Sequence, residues 1–172
     1  MLKLLGSILV IGASAALGLA VRQQTAIRVR ALDEWINCID LLTMEVATQG
    51  TPLQESFLTL ARSGNRLTAV FFQRMAEQIS ALPEYDFRSV WRKNIKANAE
   101  EWAFGRNELE VLSSIADYIG QYSGEAQNKS LQSALMRLRS CRDEAAVELR
   151  SKSSLYRTCG TAVGILLVLI LI

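Results

Sequence analysis

Residues 124–172 read GEAQNKSLQSALMRLRSCRDEAAVELRSKSSLYRTCGTAVGILLVLILI. No proline interrupts them, and the next glycine after Gly124 is Gly160. Leu131, Leu135, Leu138, Cys141, Ala145 and Leu149 recur at spacings of three and four, which mark one face of a helix. Arg139 with Asp143 and Glu148 with Lys152 stand four apart, so both are expected to pair along the wet face. From Thr158 onward the chain carries no charge. The stretch predicts one long helix, amphipathic at first and apolar all round at its end.

The other end mirrors it. Leu4 to Val21 carries no charge, and all 17 acidic residues lie between the two apolar segments. A spanning helix needs about 20 apolar residues. Residues 2–21 meet this, and 158–172 approach it if Leu155 and Tyr156 enter the bilayer and Arg157 snorkels. The expected organisation is a transmembrane helix at 2–21, a helical bundle at 22–157 and a second transmembrane helix at 158–172. Gly12 with Ala16, and Gly160 with Gly164, repeat every four positions and would let helices approach closely in lipid. Arg22, Arg28 and Arg30 follow the first segment, while Arg150, Lys152 and Arg157 precede the second. Only Lys3 lies beyond either. This asymmetry places the middle in the cytoplasm, with both termini across the membrane. It also weighs against a signal peptide cleaved near Ala13-Ser14-Ala15.

Between the ends, glycine (10) and proline (2) are too sparse for a β-sandwich. The first apolar segment is expected to continue without a break through Ile27, Leu32, Ile36, Ile39, Leu42 and Val46, and to stop at Gly50. Thr51-Pro52-Leu53-Gln54 reads as a helix start. Thr51 would cap, Pro52 would take the first helical position and Gln54 would complete a capping box. Ser63-Gly64-Asn65 ends that helix. A third runs over 66–81, with Leu67, Val70, Phe71, Met75 and Ile79 inward, and Pro83 bars its continuation. Asp86 caps a fourth, carrying Phe87, Val90, Trp91, Ile95 and Trp102. Gly105 separates it from a fifth with Leu109, Leu112, Ile115 and Ile119, after which Gly120 suits a helix end. The fold class is all-α, a bundle of about six helices whose first and last continue into the terminal segments.

Chemistry is thin. There is no histidine, which removes the commonest general base and metal ligand. Net charge is +2, too small a field for nucleic-acid binding. Cys38, Cys141 and Cys159 stand far apart and read as reduced thiols filling apolar space. Glu100-Glu101 and Glu108-x-Glu110 read as solvated helix faces. Trp35, Trp91 and Trp102 read as core. No phosphate-binding loop, nucleophile elbow or metal-ligand cluster is present, so neither an enzyme nor a cofactor is expected. Two turns stand out as places where a partner docks. One runs from Glu45 through Gln49 to Thr51-Pro52-Leu53. The other is the polar, glycine-rich stretch Ile119-Gly120-Gln121-Tyr122-Ser123-Gly124-Glu125.

Several features taken in order resemble a known family. They are Met1-Leu2-Lys3-Leu4, the Glu45–Leu53 stretch, Glu108-x-Glu110-x-Leu112, the Ile119-Gly120 turn with Gln127 behind it, and the tail from Leu155-Tyr156-Arg157 through Gly160 and Gly164. The chain looks like stage III sporulation protein AB of endospore-forming bacteria over essentially its whole length. That family is in turn similar to the cytoplasmic domain of inner-membrane platform proteins of type II secretion and type IV pilus systems. The resemblance implies a membrane platform of a channel between mother cell and forespore. It also implies a cytosolic secretion-type ATPase, stage III sporulation protein AA, as partner. Platform proteins carry a tandem pair of such domains and more spans, which raises self-association for a chain with one domain. A membrane-tethered regulator or sensor-coupling module is the alternative, and the near-absence of any segment beyond the membrane weighs against it.

Overall fold

The structure is a computed structural model that describes the backbone of residues 2–45, 51–81, 86–119 and 124–171. Side chains are described at 16, 18–45, 51–65, 67–80, 86–119 and 125–151. Six helices make up the described residues: α1 (Leu2–Leu42), α2 (Leu53–Ser63), α3 (Arg66–Ala81), α4 (Phe87–Ala97), α5 (Arg106–Tyr118) and α6 (Gly124–Leu171). The all-α expectation holds.

Two of them dominate. α1 has 41 residues and α6 has 48. At about 1.5 Å per residue they run roughly 60 and 70 Å. Both pass from the bundle into the apolar ends without a break, as the uninterrupted pattern predicts. Their mutual packing is the most extensive among the described helices. Ion pairs set its direction: Arg28–Glu148 at 3.4 Å, Asp33–Arg142 at 2.7 Å and Asp40–Arg139 at 2.9 Å. Numbers rise along α1 as they fall along α6, so the two are antiparallel. Arg139 turns to Asp40 across the seam rather than to Asp143, which pairs with Arg142, and this corrects one expected pairing within α6. Glu148 reaches Arg28 of α1, and its expected partner Lys152 has a side chain outside the described residues.

The two expected spans, 2–21 and 158–172, are helical in backbone over their described residues, 2–21 and 158–171, but most of their side chains lie outside the described residues, as do Gly12, Gly160 and Gly164 in their packing. Ala16 is exposed. Among the described residues no helix is long and apolar enough to cross a membrane.

The four shorter helices form two antiparallel hairpins, α2–α3 packed on α1 and α4–α5 packed through α5 on α6. α2 and α3 meet at Gly64, whose N–H donates to Leu60 O at 2.7 Å. A Cβ on Gly64 would stand 2.6 Å from that same carbonyl oxygen. Gly64→Ala is therefore expected to lower stability by about 1–2 kcal/mol, read as an earlier thermal midpoint. α4 and α5 are tied by Arg92 to Asp117, at 2.7 and 2.8 Å.

α1 runs to Leu42 and continues as a π-type turn over 43–45, and the expected stop at Gly50 lies outside the described residues. Local details depart from expectation in four places. Pro52, not Thr51, is the N-cap of α2, and no side chain caps it. Asp86 does sit at the N-cap of α4, but its carboxylate makes no capping bond. In α3, Val70 is 55% exposed while Phe72 is fully buried. The buried stripe runs through Thr68, Phe71, Phe72, Met75 and Ala76, which leaves Val70 on the far side. Trp102 belongs to the turn after α4, where Ala103 adopts a positive φ of 54° between two buried aromatic rings.

The core is aromatic at its centre. Trp35 on α1 is fully buried, with ring centroids of Phe71 at 4.9 Å, Trp102 at 5.0 Å, Phe72 at 5.5 Å and Trp91 at 6.1 Å. Trp91 Nε1 donates to Leu112 O at 2.7 Å and Trp102 Nε1 to Leu67 O at 2.9 Å. The three tryptophans are core, as read from the sequence.

Candidate functional site

The antiparallel order of α1 and α6 brings the two singled-out turns to one end of the bundle, opposite the end from which the apolar segments leave. Glu45 is half-buried in the turn closing α1, and its carbonyl accepts from Thr51 N–H at 3.1 Å. Its Oε2 is buried with no hydrogen-bond partner among the described residues. Pro52 is exposed, and its carbonyl takes the first intrahelical bond, from Ser56 N–H at 3.1 Å. Across the end, Glu125 is exposed in the first turn of α6. Gln127 is buried, and its Nε2 is a second polar atom without a partner among the described residues. Gln49 and Gln121 lie outside the described residues.

The opposite end carries a polar cluster that local pattern did not reveal. Glu108, expected on a solvated face, is fully buried. Its Oε1 accepts from Arg28 Nε at 2.9 Å and also from the terminal guanidinium nitrogen, while Oε2 accepts from Gly105 N–H at 3.0 Å. Arg28 also reaches Glu148. One guanidinium thus ties α1 to α5 and α6 where the helices leave the bundle. Glu108 at the third position of α5 also binds the exposed N–H of Gly105, the acidic half of a capping box. Nearby, Val21, Thr25, Arg28, Ala99, Glu100 and Ala103 line one cleft between α1 and the α4–α5 turn.

Along α1 a third polar seam faces α3. Cys38 Sγ lies 3.6 Å from Thr68 Oγ1. Burial pushes the Cys38 thiol up to about 11, against the Thr68 hydrogen bond and with help from Glu34. Burial likewise raises the Glu34 carboxyl, opposed by bonds from Asn65 and Thr68. The sign is fixed by the unfolded thiol, near 8.5. The protonated thiol is favoured in the fold, so its contribution is complete below that value and is lost as pH rises through about 11. The stability advantage of the parent chain over Cys38→Ala is expected to shrink by about 2–3 kcal/mol between pH 8 and 11. Urea titrations at each pH measure it, and parallel curves would refute it. Cys141 is also buried, while Cys159 lies outside the described residues.

Among the described residues no group of three or more acidic, thiol or imidazole side chains is placed to hold a metal. Arg88, Ser89, Arg92, Lys93 and Lys96 form an exposed basic face on α4, partly neutralised by Asp117. What the geometry offers is two ends of a helical bundle, one carrying the Glu45 and Glu125 turns and one joined to the apolar segments.

Comparison with known proteins agrees with this shape. The family profile described as stage III sporulation protein AB matches residues 3–172. Stage III sporulation protein AB of Bacillus subtilis (strain 168) is 22% identical over 171 residues, covering 99% of each chain. A solved structure of a stage III sporulation protein AB superposes with a TM-score of 0.67 at 18% identity. It covers 72% of this chain and 97% of that one, and so shows a shared fold.

Proposed function

This chain belongs to the stage III sporulation protein AB family, and from that premise we propose that it is a membrane-anchored platform subunit of a sporulation channel. It sits in the mother-cell membrane around the forespore, held by helices at 2–21 and 158–172, with the bundle in the cytoplasm. The bundle couples a cytosolic secretion-type ATPase, stage III sporulation protein AA, to membrane components of the channel. The supporting observation is the pair of unbroken helices. α1 and α6 run from the aromatic core into the apolar ends, so a push on the bundle is carried along rigid rods rather than through loops. The end carrying Glu45, Thr51, Pro52, Glu125 and Gln127 faces away from the apolar segments and is the docking end.

The test is binding of the purified ATPase to the full chain in detergent or vesicles. Reversing Glu45→Lys and Glu125→Lys together is expected to weaken binding by about tenfold or more, with helix content unchanged. Undiminished binding by the double variant removes the docking assignment.

A further inference from the structure

We propose that the end of the bundle from which the apolar segments leave is a seat for anionic lipid headgroups, in which Arg22, Arg106 and Arg150 hold the α4–α5 turn within the headgroup layer. The proposal rests on the membrane reading above.

The placement comes from contacts. Val21, the last residue of the first apolar run, lines one cleft with Ala99, Glu100 and Ala103 of the α4–α5 turn. The headgroup region extends roughly 5–7 Å beyond the hydrocarbon on each face. At about 1.5 Å per residue, that depth reaches roughly three to five residues past Val21 on α1. The turn beside those residues therefore lies in the headgroup layer. Arg22 follows Val21 directly. Arg106 lies two residues before Glu108, and Arg150 two residues beyond Glu148, each about 3 Å nearer the apolar end than the Arg28 cluster. All three are exposed, and none forms an ion pair with a described residue. Lys96, in the last turn of α4, is a fourth such cation. Exposed Glu100 and Glu101 on the turn oppose them.

Charge fixes the occupant. Arg28, which is turned into the bundle, has its carboxylates supplied by Glu108 and Glu148. The outward arginines have none, and the surface beside them is the bilayer into which both apolar segments pass. A juxtamembrane cation strengthens attachment to an anionic surface by roughly fivefold, and the attraction is screened over about 8 Å at physiological salt. Such a seat would fix the tilt of α1 and α6, which the spans alone leave free.

The test uses the full chain in vesicles, with a fluorophore on Asn107→Cys beside Arg106, and energy transfer to a headgroup-labelled lipid. Flotation with the vesicles is measured first. Transfer is expected to be at least about twofold higher with phosphatidylserine present than in phosphatidylcholine alone. It should fall in 1 M salt, where the screening length is about 3 Å. Arg106→Gln with Arg150→Gln should abolish the difference, and Glu100→Gln with Glu101→Gln should enlarge it. Flotation with equal transfer in both lipids overturns the seat and leaves the anchors standing. Failure to float overturns both.

Discussion

Replacing Glu108 by Gln is expected to lower the unfolding free energy by about 2–4 kcal/mol. The carboxylate is fully buried, so its charge is carried by three donors: two nitrogens of Arg28 and the Gly105 N–H. Breaking a buried pair costs roughly 3–5 kcal/mol, because the remaining charge is stranded. Arg28 keeps 26% of its side chain exposed and retains Glu148 at 3.4 Å, which brings the loss toward the lower part of that range. The neighbouring exposed Glu110 is the control, and Glu110→Gln should change stability by less than about 0.5 kcal/mol. Replacing both members, Arg28→Met with Glu108→Met, should cost less than the two single changes added together. Chemical denaturation followed by circular dichroism measures all four. A Glu108→Gln loss no larger than that of Glu110→Gln would mean the buried pair adds nothing.

The same residue shows where sequence reading ran out. Glu108-x-Glu110 looks like an acidic, wet face when taken as a local pair. Yet Glu108 is in phase with Val111, Leu112 and Ile115, all buried, and that phase was the available signal. Its partner stands 80 residues away, beyond any local window. The Arg139–Asp143 pairing failed for the same reason, since spacing by four proposes a partner on the same helix and cannot see Asp40 of α1 alongside. Val70 and Phe72 exchanged places because two adjacent phenylalanines fit either of two stripes, and only the packed core chooses.

What local chemistry governs was legible. The helix breaks fall where Gly64 and Gly105 stand. The continuity of α1 and α6 was readable from the absence of any breaker across Arg22–Leu42 and Glu125–Arg157. The docking turns were named from polarity and glycine content, which mark a turn but not its neighbours. That the Glu45 and Glu125 turns share one end follows from the antiparallel seam, a fact of packing. The buried unmatched atoms of Glu45 and Gln127 are likewise properties of the assembled fold.

The largest single loss of stability is expected at Trp35. Its ring lies at the centre of the core, fully buried, with two of its ring contacts edge-on at 4.9 and 5.0 Å. Truncation to Ala removes the apolar area and those ring contacts and leaves a cavity bounded by four aromatic side chains drawn from α3, α4 and the α4–α5 turn. Those side chains are held elsewhere, Trp91 by Leu112 O and Trp102 by Leu67 O, so they cannot collapse inward to fill it. Large aromatic truncations in cores cost about 3–5 kcal/mol, and poor relaxation places this one near the top. Against a typical total of about 5–15 kcal/mol, Trp35→Ala should leave the bundle marginal, with loss of near-ultraviolet signal at moderate temperature. Trp35→Phe separates packing from hydrogen bonding. Trp35 Nε1 has no partner among the described residues, so Phe forfeits volume alone and should cost about 1–2 kcal/mol. Trp91→Phe also strands the Leu112 carbonyl and should cost about 1–3 kcal/mol more than Trp35→Phe. Equal losses for the two Phe variants would show that the Trp91 bond contributes nothing, and a mild Trp35→Ala would show that the core can close around the missing ring.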